Sequence, residues 1–517
     1  MKTKEDILGL IKSLSKSEKR YFKLFVAKNS IGSSSHYVKM FDLIEKTGSV
    51  EQQIIQKIYE DDDFMEKQFR VYKYRLYKQI LKSLSAFHCE RTIDDQILEG
   101  IRHAMILYYR GLYPDAWKVL EKAEGICRQY EKFTHQMEII RWKKKIINTS
   151  SIYGKINEEN LSQFYNEEKR VNELINNQNE FWHIGSLIFL NYKTYGPARL
   201  KEDFKRYNTF RRNSFLTKTE LAKSYQAKVN FYAANMHYCI ATTDTEGAYN
   251  YAYAAVNLIE AHPHQIDEDP SQYSGSLHNL LFLTKQMKKY KEFFQMISKL
   301  KMMLEKYHSF MNENLRSSIL MSSYNLELAS YIDIGDFKKA TQLLPEIEIL
   351  LAETAIPNEL LEYYFKFNIA LLHFSKAEYN KALPRVNTIL NENKTYIRLD
   401  HYGIVRIMQI IIHFEKGNME VLPYLIKSFY RFLMNKKMLY KTERIFIHFM
   451  KTKINKISTS RELKGMLKQL KNEIEEVMKD PMEAQLTEMF DIVSWLESKI
   501  TNRSFEEIVR EKSGFYV

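Results

Sequence analysis

Glycine and proline are scarce in this chain: 16 and 9 among 517 residues. β-Sandwiches and doubly wound folds of this size need more turn residues than that, so the shortage points to long helices joined by short loops. Cysteine is scarcer still. Cys89, Cys127 and Cys239 lie far apart, are odd in number and form no Cys-x-x-Cys pair, which argues against a disulfide framework and for a reducing, cytoplasmic setting. No uncharged apolar run of about 18 residues occurs, and Met1–Asp6 leads directly into an amphipathic pattern. Neither a membrane span nor a secretory signal is therefore expected.

Motifs that carry common chemistries are also missing. There is no Gly-x-x-x-x-Gly-Lys, no Gly-x-Gly-x-x-Gly, no His-Glu-x-x-His, no Gly-x-Ser-x-Gly and no paired-cysteine site. Nothing supplies a phosphate cradle, a nucleophile with its base or a zinc cage, so no enzymatic activity, cofactor or metal is expected. His262 and His264 stand near Asp267, Glu268 and Asp269, a set that suits either a metal or a solvated loop.

The chain is rich in apolar (45%) and charged (27%) residues, with 35 Tyr and 30 Phe. It can bury a core, and large rings suit the wedging of helix pairs. The central pattern is Gly335-Asp336-Phe337-Lys338-Lys339-Ala340: a turn glycine, a plug aromatic and a small residue that lets two helices approach. Related strings are Gly111, Tyr113 and Ala116; Lys288 to Phe293, with the small residue lost; Ala377, Tyr379 and Ala382; and Gly417 to Leu422. With Tyr324 and Tyr331 at aromatic positions of the preceding helix, this pattern resembles the tetratricopeptide family. The resemblance implies an all-α, right-handed α-solenoid of helical hairpins. Turn starts at 288, 335, 377 and 417 are separated by 47, 42 and 40 residues, longer than that family's repeat of about 34. The solenoid is therefore expected without the family's ligand-binding positions. Residues 93–422 would form the array, with a break near 262–270. Helical patterns without a turn motif cover Glu158–Asn177 and Glu220–Tyr238.

Residues 1–92 read as a helical region opened by the capping box Ser15-x-x-Glu18. Short helices around Val38–Glu45 and Val50–Tyr59 precede a long one over Phe64–His88, which carries six Lys/Arg, among them Arg70, Lys73 and Lys78, against Glu66 alone. This is either a helix-turn-helix-like unit facing phosphates or a plain helical cap with a solvated basic face. In residues 423–517 the charge is polarised. Residues 423–471 hold thirteen Lys/Arg, including Lys427, Arg431, Lys437, Lys441, Arg444 and Lys451, against Glu443 and Glu462, whereas 472–517 hold eleven acidic residues against five basic. Tyr430, Tyr440 and Phe446 would either stack on bases or form core, and the acidic tail would mask the basic segment if it folded onto it. Two functions follow. The first is a cytoplasmic, non-enzymatic scaffold holding a protein partner along a concave surface; the alternative is a protein that binds DNA or RNA through the 64–88 helix, the 423–471 segment or both.

Overall fold

A computed structural model of the chain describes residues 7–29, 34–48, 62–87, 92–149, 157–198, 200–307, 311, 313–353, 359–392, 399–436, 438–452, 459–480, 483 and 489–515. Among the described residues every regular element is helical and no strand occurs. No described helix is long and apolar enough to cross a membrane. The chain divides into two compact units. One comprises Met1–Ile175, with the short stretches Asn312–Asn314 and Thr354–Ile356. The other comprises Asn176–Met311, Leu315–Glu353 and Pro357–Val517.

In the smaller unit, helices Ile7–Ser13, Lys16–Asn29, Ser34–Thr47 and Asp62–Phe87 close around Ile7, Ile11, Phe22, Val26, Phe41, Ile44, Leu76 and Ile80. The Ser15 capping box forms: Ser15 Oγ accepts from the Glu18 amide, and Glu18 Oε2 accepts from the Ser15 amide. The pattern at Val50–Tyr59 lies outside the described residues. Helices Ile93–Tyr109 and Tyr113–Gln129 then pair closely, because Gly100 leaves room against Ala123. Glu124 and Lys143 form a buried ion pair at 2.9 Å, with Trp117 5.0 Å from the ammonium.

The larger unit is built of hairpins that share one turn. Thr243, Lys288, Gly335, Ala377 and Gly417 all have φ between 57° and 74°. The residue after each donates its amide to the carbonyl five positions back: Asp244 to Cys239, Lys289 to Thr284, Asp336 to Tyr331, Glu378 to His373 and Asn418 to His413, at 2.8–3.0 Å. This left-handed closure satisfies the last carbonyls of the first helix and reverses the chain. Gly111 and Glu131 repeat it in the smaller unit. Register is kept as well. Five positions beyond the turn residue stand Ala116, Ala248, Phe293, Ala340, Ala382 and Leu422, all buried between paired helices.

Some elements differ from the sequence pattern. The helix starting at Glu158 continues to Tyr195, because Val171, Leu174, Phe181, Ile184 and Ile188 keep a buried helical period until Gly196-Pro197 stops it. Around Glu220 there is a 3₁₀ turn, Thr219–Leu221, and the helix proper is Tyr225–Ala241, capped by the Ser224 side chain. The 262–270 stretch is largely helical and lies inside the larger unit: Pro263–Glu268 and Pro270–Gln286 both carry proline in the first turn, where no amide partner is forfeited.

Thr243 is the most strained of the turn residues, since a β-branched side chain resists positive φ. A left-handed L-residue costs about 1–2 kcal/mol and glycine gives back about 0.5–1 kcal/mol in backbone entropy. Thr243→Gly should therefore raise stability by about 0.5 kcal/mol, seen as a higher denaturant midpoint at unchanged slope; an unchanged or lower midpoint contradicts the turn geometry.

Candidate interaction surfaces

The hairpin turns at 288, 335, 377 and 417 form an edge, and the C-terminal helices Ile492–Thr501 and Phe505–Ser513 lie along it in reverse order. Trp495, fully buried, packs edge-to-face on Phe414 and donates its indole N–H to Glu415 Oε1 at 2.6 Å. Lys499 reaches the other Glu415 oxygen at 2.7 Å. Phe490 and Phe505 sit against Phe374, and Phe505 also stacks over Phe337. Arg510 donates to the Gly335 carbonyl at 3.0 Å, and Ser513 to that of Ile334 at 3.4 Å. Phe515 ends the row between Tyr290 and Phe294.

Gly335 is needed here for a second reason besides its φ. A Cβ on it would stand 2.9 Å from Arg510 N and 3.0 Å from Glu506 O, both rigid backbone atoms, whereas Gly111 and Gly417 have open space at that point. Phe337 and Ala340 are buried beneath the same contact, and Tyr379 packs on Phe374. The acidic residues of Ile492–Thr501 and Phe505–Ser513 are thus spent within that segment and on Lys471. Glu497 holds Lys471 at 3.1 Å and Lys512 at 3.0 Å, Glu506 holds Arg510, and Glu511 holds Arg503.

The basic segment is left largely uncovered. Helix Leu422–Lys436 buries Leu422, Ile426, Phe429 and Leu433 and exposes Tyr424, Lys427, Tyr430, Arg431 and Lys436. Helix Lys441–Thr452 buries Phe446, Ile447, Phe449 and Met450 and exposes Lys441, Arg444, His448 and Lys451 along one stripe. Helix Ser460–Val477 buries Leu467, Leu470 and Ile474, exposes Arg461 and Lys468 and half-buries Lys464. Among the described cations of 423–471, Lys441 meets Asp480 at 3.9 Å and Lys471 meets Glu475 and Glu497; the others have no ion-pair partner among the described residues. Lys437 lies outside the described residues. Phe446 is core, so of the three aromatics expected there Tyr430 is the exposed one, and Tyr424, 75% exposed, was not singled out by its sequence context.

On the N-terminal basic helix Lys73 is half-buried and Lys78 exposed, its ammonium 5.4 Å from the Tyr74 ring; the Arg70 side chain lies outside the described residues. Exposed Val71, Tyr74 and Leu81 share this surface, so it is as apolar as it is basic. The charged groups near 262–269 are used locally. Asp269 caps helix Pro270–Gln286, and His262 Nδ1 lies 2.8 Å from the Leu258 carbonyl. Among the described residues no cluster could hold a metal ion. A cleft of about 400 Å³ is lined by Arg211, Tyr238, Cys239 and Asp244, but burial pushes the Cys239 thiol up to about 12, away from nucleophilic use.

His373 and His413 occupy equivalent places before consecutive turns. His373 Nδ1 is 2.7 Å from Glu378 Oε2, and His413 Nδ1 is 3.1 Å from Asn418 Nδ2. The His373 hydrogen bond, then those from Lys381 and Lys376, hold the Glu378 carboxyl down at about 2.

No family model matches this chain, and no curated protein matches it.

Two outcomes follow. Glu378 has a depressed folded-state pKa, so its stabilisation is complete above about 4.5 and lost as pH falls towards 2. Glu378→Gln should flatten the fall in stability over that window, and acid denaturation profiles identical to the parent would refute the pairing. Gly335→Ala and Gly417→Ala should each lose about 1–2 kcal/mol from positive φ. Limited proteolysis should then release the 490–515 helices from Gly335→Ala only; equal resistance in both would show that the helices do not rest on Gly335.

Proposed function

We propose that the chain is a non-enzymatic, tetratricopeptide-like helical-repeat scaffold of the reducing cytoplasm that holds a protein partner along the concave face of a right-handed solenoid. The observation that carries this reading is the recurrence of one left-handed turn, at 243, 288, 335, 377 and 417, with the same position five residues later buried each time. Units repeated in that register bury their hydrophobic faces on their neighbours and leave an extended surface free for a partner. Cys127 and Cys239 are buried free thiols, in keeping with a reducing setting.

In the smaller unit, apolar groups for such a partner are present on the first helix of one hairpin with the same turn. Leu98, Ile106 and Tyr109, spaced at helical period on Ile93–Tyr109, are 50%, 48% and 74% exposed. Exposed aromatic and aliphatic groups on one stripe are the usual anchors of a partner segment.

The test is recovery of the chain from its native cell, with and without nuclease. A protein partner that survives nuclease and is lost from the Ile106→Glu/Tyr109→Glu variant, at unchanged melting temperature, is the expected result. A partner released by nuclease, or one indifferent to those substitutions, contradicts it.

A further inference from the structure

We infer that the cationic face of the three helices Leu422–Lys436, Lys441–Thr452 and Ser460–Val477 is a binding surface for single-stranded nucleic acid. This goes beyond the scaffold reading and can fail without it. The first ground is electrostatic. In the preceding hairpins half-buried lysines are matched by carboxylates: Lys285 by Asp333 at 2.6 Å, Lys301 by Glu327 at 2.8 Å, and Lys366 by Glu362 and Glu392 at 2.9 and 2.6 Å. Past Leu422, apart from Lys441 and Lys471, the cations of the three helices lack that match among the described residues. Lys427, Arg431, Arg444, Lys451, Arg461 and Lys468 are exposed and make no ion pair among the described residues.

The carboxylates that would be nearest in sequence are otherwise engaged. Glu443 is buried, Glu462 Oε2 accepts from the Thr459 amide in a capping box, and Glu483 accepts from the Lys441 and Thr442 amides. Of the later acids, Glu475 pairs with Lys471, Glu476 with Lys479 and Asp480 with Lys441, and those of Ile492–Thr501 and Phe505–Ser513 are tied to Lys512, Arg510 and Arg503. The six cations unpaired among the described residues are thus left for an anion of extended form.

The second ground is geometric. Lys441, Arg444 and Lys451 fall on one stripe, about 4.5 and 15 Å along the axis from the first, a spread that meets several backbone phosphates rather than one compact anion. On the neighbouring helix, Tyr424 and Tyr430 are 75% and 44% exposed beside Lys427 and Arg431. Exposed rings among cations match the stacking of unpaired bases beside a tracked backbone, a feature that duplex DNA and acidic polypeptide cannot use.

The experiment is fluorescence anisotropy of the full chain with labelled 20-nucleotide oligo(U) and oligo(dT), a 20-base-pair duplex and poly-glutamate, at 50 and 200 mM salt. Both single strands should bind, weakening steeply with salt by a logarithmic slope of ~0.7 per phosphate engaged; comparing the two tells RNA from DNA. Lys427→Glu/Arg431→Glu and Arg444→Glu/Lys451→Glu should each weaken binding at least tenfold and reduce the slope. Tyr424→Ala/Tyr430→Ala should weaken it with the slope retained, and Lys338→Glu/Arg385→Glu, on other exposed positions, should not alter it. All these side chains are exposed, so melting temperatures should match the parent and folding is not in question. Absence of single-strand binding at 50 mM salt, indifference to the charge reversals, or equal affinity for duplex or poly-glutamate would each overturn the inference.

Discussion

A carbonyl at Gly335 that accepts from Arg510, across 175 residues of chain, sets the terms for much of the larger unit. The contact exists because residue 335 has no side chain: a Cβ would collide with the backbone of the helix that covers it. Around that point Trp495 on Phe414 and Glu415, Phe505 on Phe374 and Phe337, and Phe515 on Tyr290 and Phe294 bind the C-terminal helices to four successive turns. In a helical-repeat chain each unit normally touches only its neighbours, so separate parts can open separately. A segment fastened to four turns couples their opening.

This arrangement also decides the charge distribution. The acidic residues after 472 neutralise cations within the two clamping helices and at the end of Ser460–Val477, and of the exposed lysines and arginines in the three helices before them they reach Lys441 alone among the described residues. Surface ion pairs of this kind contribute little energy each. Their effect lies in where they hold the acidic groups: the apolar rings seat the clamp, and the basic faces stay bare as a result.

The hairpins were legible because their physics is local. Left-handed φ favours glycine, close helix approach favours alanine, and both recur in strings such as Gly335 to Ala340. The same signal flagged Lys288 and Ala377 only through their neighbours. It missed Thr243 altogether, where a threonine occupies the strained position and Thr245 replaces the plug aromatic. The clamp was not legible. Trp495, Phe505 and Arg510 look ordinary in a short amphipathic helix, and nothing nearby in sequence signals that their partners lie 80 to 175 residues earlier. Among the surface candidates, the basic composition of 423–471 was plain, but which cations keep carboxylate partners depended on where the tail docks. Phe446 and Tyr430, alike on paper, were separated by a difference of one helical face.

Native-state hydrogen exchange of the intact chain is the most direct measurement. If the clamp couples the turns, amides of Phe505–Ser513 will exchange as slowly as those of Tyr379–Asn391 and share their denaturant dependence. Exchange of the C-terminal helix at least a hundredfold faster, with no denaturant dependence, would contradict it and return the hairpins to nearest-neighbour stacking alone.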